Sequence, residues 1–503
     1  MERIRTVAVI GAGSSGIAGA KCALDEGLEP VVFEQTGEVG GNWVYRPEES
    51  HSSCYRSLYI NTSREIMAYS DFPMPETLPD YPHNTHIVRY FEDYVERFRL
   101  SERIRFHHTV TRVTRSGARW EVTATRLDGT TATETFDALV VANGHHWSPR
   151  WPSPPYPGSE LFRGRQLHSH SYKEPSVLAG KRVVIVGIGN SAVDIAVEAS
   201  HVAESVYLST RSGAWVVPKY FFGKPLDHLA ITRLGAHVPL ELTGKIARKR
   251  LAKFQGALES WGLPRPRFGP HQAHPTISNE LLGRIGHGAV TIKPNVARLE
   301  PEHVVFEDGS RVEADVIVWC TGYDVRFPFF DDALVTAVDN RLDLYKRVFH
   351  PDLGASVAFL GLVQPLGAIM PIAEMQARWA ARVWAGRARL PDAGAMRADI
   401  ARMHDAVARR YTPSARHTIQ VDFYAYMDEL ADQIGVRPHV WKHPRLWAAL
   451  MLGPAAPAQY RLEGPGAWDG APDAVLAAFA RSRGRRAASG RSIAQDPARA
   501  GSR

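Results

Sequence analysis

Thr6-Val7-Ala8-Val9-Ile10-Gly11-Ala12-Gly13-Ser14-Ser15-Gly16 decides the fold, and the chain uses the same device a second time. An apolar, β-branched run enters a glycine-rich turn, and a helical stretch, Ile17-Ala18-Gly19-Ala20-Lys21-Cys22-Ala23-Leu24, follows. The second copy reads Arg182-Val183-Val184-Ile185-Val186-Gly187-Ile188-Gly189-Asn190-Ser191-Ala192, continuing into Val193-Asp194-Ile195-Ala196. Strand, glycine turn and helix in this order predict a dinucleotide-binding unit. Gly11 and Gly187 allow the tight turn, and Gly13 and Gly189 let a pyrophosphate approach the backbone. Gly16 and Ala192 let helix and strand pack closely. The phosphates then meet the free N–H groups at a helix start, flanked here by Ser14 and Ser15 or by Asn190 and Ser191.

The residue that reads the ribose differs between the copies. Twenty-three residues after Gly11 stands Glu34; twenty-three after Gly187 stands Thr210, followed by Arg211. A carboxylate at that strand tip accepts hydrogen bonds from ribose hydroxyls and repels a 2′-phosphate. Glu34 therefore fits FAD or NAD. A guanidinium suits bidentate phosphate binding, so Thr210 and Arg211 fit NADPH. Two different nucleotides on one chain imply electron transfer.

Composition narrows the field. The 503 residues suffice for two or three domains, and 44% apolar with 10% aromatic content is globular. Of the net charge of +7, the stretch from Arg481 onward supplies +6, from seven arginines and one aspartate. The rest is nearly neutral, which argues against nucleic-acid binding. The arginine-rich end lacks apolar periodicity and is expected to be disordered from 471 to 503. No secretory signal is read at the N-terminus, and no apolar stretch reaches about 18 residues, so no membrane span is expected. Cys22, Cys54 and Cys320 are far apart and form no C-x-x-C, which predicts free thiols and a reducing, cytoplasmic setting. A flavin enzyme without a cysteine pair must pass its electrons elsewhere, and dioxygen is the leading candidate. His271, His274 and His287 match no metal-ligand spacing, so no metal is expected. The basic stretch Lys245-Ile246-Ala247-Arg248-Lys249-Arg250 reads as a solvated helix face.

Between the two fingerprints, after the proline-rich connector Trp151–Gly158, lies Phe162-x-Gly164-x-x-x-His168-x-x-x-Tyr172. On its residues alone it reads as a linker with a hydrogen-bonded histidine. In company with Glu38-Val39-Gly40-Gly41-Asn42-Trp43, Asn61-Thr62-Ser63-Arg64-Glu65, Ser70-Asp71-Phe72-Pro73-Met74-Pro75, Arg211-Ser212-Gly213-Ala214-Trp215, Trp319-Cys320-Thr321-Gly322-Tyr323-Asp324 and Gln364-Pro365-Leu366-Gly367, it resembles the flavin-containing monooxygenases, closest to the dimethylaniline type. The resemblance runs from about residue 4 to about 450. Baeyer–Villiger relatives carry Trp, then Pro or Asp, where this chain has Tyr172-Lys173, which points away from ketone oxygenation. Asn42 stands where leucine is common. Many animal members end in a membrane-associating segment, unlike this chain.

The resemblance implies an α/β fold of two Rossmann-like domains, with the NADP domain inserted into the FAD domain. Residues 1 to about 155 and 318 to about 470 would form the FAD domain, and about 156 to 317 the NADP domain. The strand Asp315–Gly322 would re-enter the FAD domain. It also implies a cycle. NADPH reduces FAD, the flavin takes up dioxygen as a C4a-hydroperoxide, and a soft small-molecule nucleophile, an amine or a sulfide, removes the distal oxygen. The cofactor carries the chemistry, so no triad or metal is needed. Asn61 matches a family asparagine that acts at the flavin. Gly41, Asn42, Trp43, Asn61 and Thr62 are expected along FAD, and Gln364 near its ring. Ser191, Ala192, Val193, Asp194 and Arg211 are expected near NADP. The alternatives are Baeyer–Villiger oxygenation, an uncoupled NADPH oxidase or flavin reductase, and a flavin-bearing sensor. Oligomeric state stays open, a homodimer included.

Overall fold

The computed structural model describes residues 4–484 apart from 49, 268, 271, 273 and 411–417. Two parallel sheets of five strands each organise it. The first runs Val357–Phe359, Ala138–Val141, Thr6–Ile10, Glu29–Phe33, Ile104–Arg105, with every neighbouring pair parallel. The second runs Thr291–Lys293, Ser205–Ser209, Arg182–Val186, Val316–Trp319, Arg165–His168, again all parallel. Both fingerprint strands sit at the centre of their sheets. Val7, Ala8, Val9 and Val183, Val184, Ile185 are fully buried. Continuous apolar runs of this kind are what a sheet covered on both faces requires.

The first fingerprint helix, Ser14–Asp25, packs on the buried helix Met370–Trp384. Where they meet, the helices carry paired charges. Lys21 Nζ lies 2.6 Å from Asp71, Asp71 lies 2.9 Å from Arg461, and Arg461 lies 2.7 Å from Glu374. Glu374 also accepts from the Ser70 amide and hydroxyl at 2.7 Å. The Ser70–Pro75 segment is thus structural: its polar groups satisfy buried charges that would be costly if left single. The opposite face of the first sheet is covered by the antiparallel strands His108–Ser116, Arg119–Arg126 and Thr131–Phe136. Their alternation turns Trp120, Val122 and Ala124 onto Val141 and Phe359.

Three expectations need correction. The strand Val316–Trp319 does not re-enter the first sheet; it pairs with Arg182–Val186 on one side and Arg165–His168 on the other. The chain rejoins the first sheet only at Val357–Phe359. Second, the Phe162–Tyr172 motif is more than a linker. Arg165–His168 is the edge strand of the second sheet, and an added Cβ on Gly164 would lie 2.6 Å from the Asp315 carbonyl oxygen. Third, the expected disorder does not begin at 471. Ala471–Ser482 is a helix with Pro472 in its first turn, and it buries Ala471, Val475 and Ala478, an i, i+4, i+7 stripe. Residues 485–503 lie outside the described residues. Among the described residues no helix is long and apolar enough to cross a membrane.

Candidate nucleotide-binding site

The two helix starts open into one cavity of ≈ 1520 Å³. From the first unit, Gly11, Gly13, Ser14, Ser15 and Glu34 line it, together with Gly41, Asn42, Trp43, Asn61, Thr62 and Gln364. From the second come Gly189, Asn190, Ser191, Ala192 and Asp194. Gly16, Gly187, Val193, Thr210 and Arg211 stand outside that lining.

The glycines answer to backbone geometry. Gly11 has φ +99°, and an added Cβ would lie 2.8 Å from the Ala142 carbonyl oxygen. Gly187 repeats this at φ +128°, 2.8 Å from the Cys320 carbonyl oxygen. Gly16 lies off the cavity because its task is packing; an added Cβ would sit 1.8 Å from the Gly11 oxygen. Ala192 and Val193 are fully buried in the second core.

Both fingerprint helices begin at a glycine, Gly13 and Gly189, and neither start carries a side-chain cap. Uncapped N–H groups with a helix dipole behind them attract phosphate. A nucleotide pyrophosphate therefore fits each helix start. Glu34, at the tip of Glu29–Phe33, accepts from the Ala12 amide at 2.8 Å, the Thr36 amide at 2.9 Å and the Thr36 hydroxyl at 2.8 Å. Its carboxylate is fixed against the glycine turn, on the cavity wall.

Other residues are already engaged. Asn42 Oδ1 accepts from the amide and hydroxyl of Ser53 at 2.8 and 2.9 Å, so its side chain orders the 52–53 turn. Asn190 Oδ1 accepts from the Ile277 amide at 2.7 Å. Asp194 accepts from the Tyr55 hydroxyl, and burial holds its carboxyl above the usual range. One turn on, Glu198 accepts from the Tyr172 and Ser57 hydroxyls, and burial raises it too. The motif tyrosine therefore ties the edge-strand connection to the fingerprint helix. His168 is buried, which lowers it to about 4, so it is neutral at pH ~7.

Arg211 is exposed beyond the end of Ser205–Ser209, near enough for its charge to act on the Tyr156 hydroxyl, and the Tyr156 ring stacks on Trp319 at 5.3 Å and 12°. Thr210 is 2% exposed, and its hydroxyl has no partner among the described residues. A buried hydroxyl without a partner next to a free guanidinium fits a phosphate acceptor. Gln364 begins the strand Gln364–Leu366, which pairs in parallel with Gln420–Asp422. The Thr62 hydroxyl donates to the Gly367 oxygen at 3.3 Å, joining the Asn61 loop to that strand's end.

The stretch 215–300 also supplies the wall. Lys219, Leu226, Asp227, Ile246 and Arg250 line the cavity, so the helix Leu240–Gln255 is more than a solvated face. Burial lowers Lys219 and raises Asp227. Sequence spacing gave no sign of these two, because each meets its partners across more than 150 residues. The three cysteines are free; burial pushes Cys54 and Cys320 up to about 12, which leaves no thiolate to relay electrons. Among the described residues no His, Cys, Asp and Glu group is arranged to hold a metal.

The family model for flavin-binding monooxygenase-like proteins matches residues 4–500. Flavin-containing monooxygenase 5 of Oryctolagus cuniculus is 43% identical over 492 residues, 94% of this chain and 91% of the relative. Dimethylaniline monooxygenase [N-oxide-forming] 2 of Mus musculus is 40% identical over 490 residues, again 94% and 91%. Among solved structures, S-allyl-L-cysteine S-oxygenase from Allium sativum superposes with TM-score 0.68 at 28% identity, covering 95% of this chain and 98% of that one.

Proposed function

Because the chain belongs to the flavin-binding monooxygenase-like family, we propose that its substrates are soft nucleophiles, amine nitrogen and sulfide sulfur. It is a flavin-containing monooxygenase, and its cofactors are FAD and NADPH. The observation that carries the reading is the single cavity onto which two uncapped helix starts open, each helix followed by a strand whose end carries a candidate ribose reader. The overall reaction balances as substrate + O₂ + NADPH + H⁺ → oxide + NADP⁺ + H₂O. When bound, the flavin accepts hydride from the nicotinamide and activates dioxygen.

The chain's part is binding, orientation and exclusion of water. Residues 1 to about 155, with the part after Trp319 to about 470, would hold FAD; the second sheet would hold NADPH. Gly13, Ser14 and Ser15 offer backbone N–H groups to one pyrophosphate, and Gly189, Asn190 and Ser191 to the other. Glu34 takes the ribose of FAD. Thr210 and Arg211 take the 2′-phosphate. The Asn61 amide lines the cavity and would both donate and accept at the flavin edge, which suits a group whose protonation changes during turnover. Gln364 borders the same space. Asp194 lines the second helix start near the nicotinamide nucleotide and accepts from the Tyr55 hydroxyl there. The free thiols agree with a reducing compartment such as the cytoplasm.

The test is a product panel. With methyl phenyl sulfide and N,N-dimethylaniline, NADPH consumption should match sulfoxide and N-oxide formation. Peroxide equal to NADPH with every substrate, or lactone from a cyclic ketone in place of both oxides, would refute the reading.

A further inference from the structure

Two side chains from one short segment grip the backbone on either side of Asn61–Thr62. The antiparallel pair Tyr220–Phe221 and Lys224–Pro225 follows Lys219 and leads into Leu226–Ala230, which carries Asp227. Lys219 Nζ donates to the Ile60 carbonyl at 3.1 Å. Asp227 Oδ2 accepts from the Ser63 amide at 2.5 Å. His228 Nε2 lies 3.0 Å from the Ser63 hydroxyl. The clamp is itself braced, since Tyr81 donates to the Lys219 carbonyl at 2.7 Å and the Lys219 amide donates to Asn279 at 2.8 Å.

The chemistry of the clamp is unusual. Neither Lys219 nor Asp227 makes an ion pair with an acid or a Lys or Arg among the described residues; Asp227 meets a main-chain amide, and the Lys219 ammonium meets a main-chain carbonyl while lying 5.1 Å from the centre of the Tyr81 ring and 5.9 Å from that of Tyr59. Burying such groups costs free energy that apolar residues would not cost. What they secure is the position of one dipeptide, and an active-site amide must be held to within a fraction of an ångström.

We propose that Lys219 and Asp227 are positioning residues that hold the Asn61 side chain in register with the flavin site, and so keep oxygen transfer coupled to NADPH oxidation. The inference rests on the reading of Asn61 given above. In Asp227→Ala and Lys219→Ala holoenzymes, FAD content and the anaerobic rate of flavin reduction by NADPH should stay within about twofold of wild type. Peroxide released per sulfoxide formed from methyl phenyl sulfide should rise about tenfold, the scale of one lost hydrogen bond to a charged group. Asp227→Asn keeps an acceptor oxygen and should restore coupling. Amide exchange of the 60–63 segment should quicken about tenfold in Asp227→Ala, with or without bound FAD. Asn61→Ser should uncouple on its own, and Asp227→Ala should add nothing to it.

Wild-type coupling in both alanine variants overturns the proposal. So does a fall in FAD content or reduction rate that matches the fall in coupling, and so does full additivity with Asn61→Ser. If Asn61→Ser stays coupled, the reading of Asn61 fails. Uncoupling by Asp227→Ala alone would then show a clamp acting on another group, and the proposal falls with that reading.

Discussion

Arg211 and Glu65 show what single side chains decide in this protein. Arg211 is exposed just past the end of the strand Ser205–Ser209, and its charge acts on the Tyr156 hydroxyl. Its replacement by alanine should raise the NADPH requirement on the order of ten- to a hundredfold and leave the NADH requirement nearly unchanged. Equal losses with both, measured as kcat/KM, would remove it as the phosphate reader. Glu65 is a hub for the Asn61 loop. It meets Arg64 at 2.9 Å, Arg481 at 2.9 Å and His228 at 3.3 Å. Burial alone would push its carboxyl up, but the His228 hydrogen bond and the Arg64 charge outweigh it and hold the group at about 2, below the ordinary 4.5. A depressed value stabilises the fold above the unfolded pKa and loses that contribution as pH falls through the folded one. The advantage of wild type over Glu65→Gln should be about 3 kcal/mol near pH ~7, and it should narrow steadily from pH ~4.5 toward pH ~2. Urea midpoints across that range check it; a constant gap would contradict it. The glycine turns, Glu34 at its strand tip and the place of Arg211 just past a strand end were legible in the sequence, because a turn or a strand end fixes them at set spacings. Lys219, Asp227 and Glu65 were not, because their partners come from distant segments.

At the scale of elements, the helix Ala471–Ser482 escapes a reading by composition because the arginine-rich stretch from Arg481 onward outweighs its short apolar stripe. Val475 and its neighbours pack on Leu446, Leu450 and Ala458, and Arg481 reaches Glu65 and Asp80. Ending the chain before Ala471 should lower stability by about 3 kcal/mol and loosen FAD retention. A truncated protein with unchanged thermal unfolding and full flavin content would contradict this. The strand Val316–Trp319 was misplaced for a related reason. Its apolar run VIVW fits either sheet, and its parallel pairing with Arg182–Val186 and Arg165–His168 decides. The fingerprint helices were read correctly because pattern, turn and helix agree at every level.

On the scale of the molecule, two parallel sheets direct their fingerprint turns at one cavity, and the irregular stretch 215–300 closes its wall. The pairing of two nucleotide units was legible from two motifs; the cavity wall was not, since a surface assembled from distant segments leaves no linear spacing. The central claim is that reducing power passes from NADPH to a flavin held on the same chain. Anaerobic rapid mixing of the purified, FAD-loaded protein with NADPH tests this most directly. The flavin absorbance should bleach completely, much faster than with NADH, and recover when oxygen is admitted. A protein that takes up no FAD, or whose flavin stays oxidised under NADPH, would contradict it.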